Sequence, residues 1–379
     1  AGLSIIGTNP EGKILIPEYS LLPHDNLPQS KLQLSNTDVI LVTGGGRGIT
    51  GALALEFARK YGCKMALVGR RAISTDDTES ETAVLLSKYQ EAGLECEYFS
   101  CDIADKNSFA TMVTTVDQKL GKVTGVIHGA GLNEPKLASQ VTKEAALTEM
   151  APKVIGGLNI IETFAHDSLK VLSGLTSIIG VVGMPGNTYH ALANERLNNM
   201  FISYGKRHPS THVINTAYSV WSSIGMGARM GSDKNLEKKG IGTITPEEGI
   251  RRFLELVEGK APAQQVVVTS RLGQLSLGSN GITKKAPKNW RFAQDIKHYQ
   301  PGVEAITAVH LTHEDDPYLE DHCYNGTLLF PTVFGLEAMA QVSAIAAGIE
   351  KYDSLMIENI NLPRPITVGK AGADIEIYA

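Results

Sequence analysis

From Val39 onward, short apolar runs alternate with longer stretches in which apolar residues recur at helical spacing. The apolar runs DVILVTG, KMALVGR, CEYFSCD, GVIHGAG, KVLSGLTS and HVINTAYS look like strands. Between the first two lies GALALEFARKYG, with apolar residues at 52, 53, 55 and 57 and a closing glycine at 62, which predicts a helix. Another helical stretch, GIRRFLELVEG, precedes a last strand, QQVVVTS. This alternation predicts right-handed crossovers and a Rossmann-type, doubly wound parallel sheet with helices on both faces.

The pattern differs on either side. Residues 1–36, with Pro10, Pro17, Pro23 and Pro28, read as a lead-in with one short strand at KILI. Residues 271–302 are rich in Gly, Lys, Asn and Pro and read as a linker. From 303 to 379 a smaller α+β segment is predicted. AITAVHLT is a strand, TVFGLEAMAQVSAIAAGIE a helix, and MIENINLPRPITV and ADIEIYA are strands. The regular α/β domain therefore spans 37–270, and no internal repeat is visible.

Composition narrows the function classes. A length of 379 residues suggests two domains. A net charge of -5 gives no reason to expect nucleic acid or an anionic membrane as a partner. Cys63, Cys96, Cys101 and Cys323 form no CxxC pair and have no His cluster near them, so no metal site is expected. They read as reduced thiols of a cytoplasmic protein. No secretory signal is visible, and no apolar run approaches the ~20 residues of a membrane span.

The candidate chemistry begins in VILVTGGGRGITGALALEFA, a strand, glycine loop and helix. Glycines let the backbone approach a pyrophosphate, and the helix N-terminus presents N–H groups to it. Thr43, Gly44, Gly45, Gly46, Arg47, Gly48 and Ile49 are the cofactor candidates; the alternative is a plain tight turn. A carboxylate at the end of the second strand would hold the ribose 2′-OH of NAD. Here that strand ends in LVGRR, so Arg70 and Arg71, with Arg47 in the loop, suit the 2′-phosphate of NADPH. Arg71 alone could equally be a solvated surface arginine.

These residues resemble the short-chain dehydrogenase/reductase superfamily. TGGGRGIT matches its TGxxxGxG loop except that Thr50 stands where a third glycine is expected. Asp102 and Ile103 are similar to its adenine contact, and Gly129, Ala130 and Gly131 of HGAG to its element after the fourth strand. Within the superfamily, residues 38–270 most resemble polyketide synthase ketoreductase domains, of the enediyne and polyunsaturated-fatty-acid synthase branch. The resemblance implies a Lys–Ser–Tyr–Asn catalytic set. Lys153 and Ser177, 24 residues apart, match the first two members, and Asn194 the fourth. The tyrosine position, 13 after the serine and 4 before the asparagine, falls on His190, with Tyr189 one residue early.

Helix geometry favours His190, since residues i and i+4 share a face while neighbours point ~100° apart. A histidine there would be an acid with a reference pKa of ~6.5, losing activity at high pH, and a nearby Lys153 would weaken it. The family's stereochemical aspartate would fall in LNEPKL, where Pro135 stands instead. Trp221 in SVWSSIGMG is either part of a substrate-side lid or a core aromatic.

The stretch PYLEDHCYNGTLLFPTVFGLE resembles the start of a polyketide synthase dehydratase, a hot-dog fold. Its HxxxGxxxxP signature is met by His322, Gly326 and Pro331, which implies a base at His322; the bland alternative is a turn histidine. The acidic partner lies in a second repeat that is not in this chain. The sequence thus reads as part of a larger synthase, whose partners are other synthase domains and an acyl carrier protein bearing a phosphopantetheine thioester. Three functions compete: an NADPH-dependent β-ketoacyl reductase joined to a dehydratase start, a catalytically impaired reductase-like module kept for architecture, and a free-standing reductase of small ketones.

Overall fold

A computed structural model describes residues 7–8, 11–15, 17, 19, 22, 27–28, 32–74, 77–165, 169–238, 240–259, 261, 264–273, 285–300 and 302–379. The chain forms two compact units, one of residues 1–17 and 22–278 and the other of residues 18–21 and 279–379.

The first unit opens with a small antiparallel pair, β1 (Gly7–Thr8) and β2 (Ile14–Leu15). The alternation then runs β3 (Val39–Thr43), α1 (Gly48–Tyr61), β4 (Lys64–Gly69), α2 (Glu81–Glu91), β5 (Cys96–Ser100), α3 (Lys106–Lys119), β6 (Val123–His128) and α4 (Lys143–Thr163). It continues with β7 (Val171–Ser177), α5 (Ile179–Val182), α6 (Thr188–Arg207), β8 (His212–Tyr218), α7 (Gly225–Arg229), α8 (Ser232–Glu237), α9 (Pro246–Glu258) and β9 (Gln265–Val268). The seven strands β3–β9 pair in parallel in the order β5-β4-β3-β6-β7-β8-β9, a doubly wound Rossmann-type sheet.

Both faces of this sheet are covered, which is why its central strands are apolar without alternation. In β3, Val39 and Leu41 pack with Phe109 and Val116 of α3 and Leu197 and Phe201 of α6. Ile40 and Val42 face the other way, with Leu53 and Phe57 of α1 and Phe253 of α9. The strand order reverses between β3 and β6, so a crevice opens at their carboxyl ends, where ligands bind in such sheets.

The second unit contains β10 (Asp295–Gln300), β11 (Glu304–Leu311), β12 (Cys323–Tyr324), β13 (Thr327–Leu329), α10 (Thr332–Ala346), β14 (Thr367–Val368) and β15 (Ala373–Tyr378). Two three-stranded antiparallel sheets form, β10-β11-β15 and β12-β13-β14. Val342 and Ile345 of α10 pack with Ala305, Val309 and Leu311 of β11.

Two expectations need correction here. The linker expected over 271–302 extends too far, because β10 lies inside it. Trp290 and Phe292 are buried in the second core, and the Arg291 guanidinium grips the buried Asp316 carboxylate at 2.8 Å. The polar pattern DIKHYQ hides the strand, since one of its faces is solvated. Residues 274–284 of that expected linker lie outside the described residues. MIENINLPRPITV is not one strand: only Thr367–Val368 pairs. Pro363 and Pro365 have no N–H to give a ladder, and Asn359 has a φ of 57°.

Candidate active site

The glycine loop lies at the reversal point of the sheet, between β3 and α1. Gly44 has a φ of +73°, and a Cβ there would stand 2.7 Å from the backbone N of Ala130. Gly48 begins α1 with a φ of +59°. The helix has no acidic residue in its first turn, and its N-cap, Arg47, makes no side-chain capping bond. A glycine-lined approach to an uncapped N-terminus fits a pyrophosphate.

Thr50, the departure from the glycine pattern, has a local explanation. It is buried, and a Cβ on Gly129 would collide with its side chain. The two positions share one space, with the larger residue on α1 and the glycine after β6. Gly129→Ala is therefore expected to destabilise the domain by about 1–3 kcal/mol through overpacking. Adding Thr50→Gly should recover part of that loss, as measured by urea unfolding of the single and double variants.

At the end of β4, Gly69 stands where the Tyr98 ring from β5 fills the space that a side chain would take. The Tyr98 hydroxyl donates to the carbonyl of Arg71 at 2.8 Å. Burial pushes this phenol's pKa up, and the charges of Arg47 and Arg71 oppose the shift, so both guanidinium groups lie near it. Arg70 is exposed, and its carbonyl accepts from Ser100 at 3.2 Å. Tyr98 was missed in the sequence because an aromatic in a strand reads as core. Asp102 is exposed and caps the N–H of Ala104, whereas Ile103 is buried and its carbonyl accepts from Asn159.

Lys153 is buried on α4, and its ammonium donates to the carbonyl of Leu175, two residues before Ser177 at the end of β7. Gly131 leaves room for it, since a Cβ there would lie 3.0 Å from Lys153 Cε. Burial pulls the Lys153 pKa down to about 8. Ser177 is half-buried, and its hydroxyl accepts from the N–H of Ile179.

Helix α6 starts at Thr188, with Asn187 as its N-cap. His190, Ala193, Asn194, Leu197 and Phe201 form its buried face, while Tyr189 is only half-buried. Asn194 donates to the carbonyl of His190 at 2.8 Å, and its own amide oxygen is buried with no partner among the described residues. No hydrogen bond joins Tyr189 to Ser177 among the described residues. His190 Nδ1 lies 2.9 Å from the carbonyl oxygen of Leu132. A carbonyl only accepts, so Nδ1 carries the proton and the neutral ring presents Nε2 as a bare acceptor.

The titration expected near 6.5 is displaced. Burial lowers the His190 pKa to about 4; the bond to Leu132 opposes this, and the Lys153 charge adds to it. His190 is thus a neutral imidazole at physiological pH, with no proton on the nitrogen left free.

Two further residues escaped the sequence reading. Glu149, one turn before Lys153, is buried, and its carboxylate accepts from the N–H of Glu134 at 3.2 Å, pinning the LNEPKL loop. Its i,i+4 spacing from Lys153 was the available signal. His128 is fully buried; its Nδ1 is 2.5 Å from the Thr43 hydroxyl, and burial and the Lys153 charge push its pKa down to about 3. Trp221 is resolved as a core aromatic rather than a lid residue. It is 1 % exposed, sits edge-on to Tyr218, and fills the space beside Gly249 of α9. His322 is exposed at the base of the β12–β13 hairpin, whose turn uses Asn325 and Gly326 at positive φ, and Pro331 is the N-cap of α10. No cluster of three or more metal-ligating side chains occurs among the described residues, and no described helix is long and apolar enough to cross a membrane.

The fold, with its crevice at the strand reversal, is that of a doubly wound Rossmann-type domain. Residues 39–221 match the family model of the KR domain. The chain is 28% identical over 238 residues to the polyketide synthase PksN of Bacillus subtilis, covering 61% of this chain and 4% of that protein. It is 28% identical over 268 residues to the 6-methylsalicylic acid synthase of Aspergillus niger, covering 66% of this chain and 15% of that protein. It thus spans less than a fifth of the length of these relatives. Among solved structures, a ketoreductase from the first module of phoslactomycin biosynthesis in Streptomyces sp. HK803 superposes with a TM-score of 0.60 at 20% identity, over 70% of this chain and 58% of that one. A ketoreductase domain from the bacillaene assembly line gives 0.59 at 23% identity, over 68% and 61%. An archaeal alcohol dehydrogenase from Thermococcus sibiricus, complexed with 5-hydroxy-NADP, gives 0.50 at 20% identity, over 61% and 96%.

Proposed function

We propose that residues 37–270 are the NADPH-dependent β-ketoacyl reductase region of a cytoplasmic multidomain synthase of the enediyne or polyunsaturated-fatty-acid type. Its substrate is a β-ketoacyl thioester carried on the phosphopantetheine of an acyl carrier protein. Residues 303–379 are then the N-terminal part of a dehydratase hot-dog domain, with His322 as its base. That second assignment is supported by the hairpin-to-helix passage through Gly326 and Pro331.

The observation that carries the reading is the buried Lys153 ammonium. It is held by Leu175 beside Ser177, and its charge reaches His190 on the same side of the domain as the glycine loop. Bound NADPH supplies the hydride, and the protein supplies the rest. Ser177 donates a hydrogen bond to the ketone oxygen, and Lys153 provides positive charge as that oxygen becomes an alkoxide. The product alcohol needs one proton, which His190 delivers only in its scarce doubly protonated form. The reductase is therefore slow.

A second reading, a module kept for its architecture, draws on one observation: the bond to Leu132 that leaves His190 Nε2 bare. An assay of the whole chain with a β-ketoacyl N-acetylcysteamine thioester, following NADPH absorbance, separates the two. Slow, thioester-dependent NADPH oxidation is expected. NADPH binding without turnover would select the architectural reading, and absence of both would overturn the reductase proposal.

Cofactor choice is tested at the arginines. Arg71→Asp should weaken NADPH binding about tenfold or more, the scale of a lost charge-assisted contact, with little change for NADH. Arg70→Asp should act in the same direction but less strongly, because Arg71 is the one beside Tyr98. Equal affinity of the unaltered protein for the two cofactors in a binding titration would refute the preference.

A further inference from the structure

We propose that Arg229 is a further cofactor-binding residue, whose guanidinium completes the pyrophosphate site of the glycine loop. The proposal rests on the NADPH reading above. It begins at Gly225, the first residue of α7, with a φ of +91°. A Cβ there would stand 2.8 Å from the Ile49 side chain, so the missing side chain lets this segment press onto the first turn of α1. Arg229 follows one helical turn later. Its Nη1 lies 3.5 Å from the point that a Cβ on Gly48 would occupy.

Two positive features therefore converge: the uncapped N-terminus of the 14-residue α1 and the Arg229 guanidinium. The carboxylate paired with Arg229 is Glu81, at a loose 3.6 Å, with the two side chains 40% and 52% exposed. A solvated pair at that distance contributes little. A diphosphate has two negative charges and oxygens that match both the guanidinium fork and the helix N–H groups, so it outcompetes one carboxylate. Arg229 then exchanges Glu81 for the pyrophosphate and draws α7 onto the bound cofactor. The sequence offered no hint, because Arg229 is 181 residues from Gly48 in the chain and stands outside any glycine motif.

The test measures dissociation constants of the full chain for NADPH and for adenosine 2′-monophosphate, which keeps the 2′-phosphate but has no pyrophosphate. Arg229→Ala is expected to weaken NADPH about tenfold and leave adenosine 2′-monophosphate unchanged. Arg229→Lys should lose less, and Glu81→Gln should not weaken NADPH. Equal NADPH affinity of Arg229→Ala and the unaltered protein would overturn this proposal while the NADPH reading stands. An equal loss for both ligands would also overturn it, since the arginine would then act on the fold or on the 2′-phosphate. Failure of NADPH to bind the unaltered protein would overturn both.

Discussion

His190→Tyr raises thioester reduction about a hundredfold or more, the range that a positioned general acid contributes. The cause lies in the ring's protonation state. His190 Nδ1 donates to Leu132, and burial holds the second pKa near 4, so at neutral pH roughly one molecule in a thousand carries a transferable proton. A phenol at the same place keeps its proton until far higher pH, and the neighbouring Lys153 charge favours its release to the alkoxide. The unaltered protein should accordingly gain activity as pH falls from 8 toward 5, and His190→Tyr should flatten that slope. Tyr189→Phe should change little, because Tyr189 lies off the buried face of α6. A His190→Tyr variant no faster than its parent, or a Tyr189→Phe variant without turnover, would refute the assignment.

The acid gain has a limit that follows from the same shift. A histidine whose folded pKa is depressed contributes stability that is fully present above its unfolded value of ~6.5. That contribution is lost as pH falls through the folded value, about 4 for His190 and about 3 for His128. Rates below about pH 6 therefore need a parallel check of folding by circular dichroism.

Lys153→Met is expected to abolish most turnover, by about a hundredfold or more in both the His190 and the His190→Tyr backgrounds. The same variant should be more stable than its parent at neutral pH. Burial lowers the Lys153 pKa from 10.5 to about 8, so the folded state resists the charged form. The sign follows: stability is fully present above the unfolded pKa and is lost as pH falls through the folded one. Below pH 8 the cost is on the order of 3 kcal/mol. Methionine fills similar volume without that charge, although it leaves the Leu175 carbonyl without its donor. A rise in Tm together with a collapse in kcat marks a group kept for chemistry. Lower stability with unchanged turnover would mean that Lys153 is a structural cation only.

The sequence by itself determined the α/β domain, because its signals are local and periodic. VILV in β3 is apolar throughout since both faces of a parallel sheet are covered, and GALALEFARKYG closes on Gly62, whose φ of +68° a glycine adopts freely. The candidate site was legible to the same extent. His190 and Asn194 fall on one helical face by spacing alone, and the loop glycines stand between an apolar strand and a helix. Two stretches misled, because β10 is half-solvated and the prolines at 363 and 365 leave only Thr367–Val368 in a strand. Tertiary structure alone decided the remainder. Whether Trp221 faces a cleft or the core depends on Gly249 of α9, and Thr50 replaces a glycine only because Gly129 yields it space. Which His190 nitrogen holds the proton depends on Leu132, 58 residues away, and the depression of its pKa on the walls that exclude water. Spacing reports which face a side chain takes; desolvation and hydrogen-bond partners arise only when distant segments close around it.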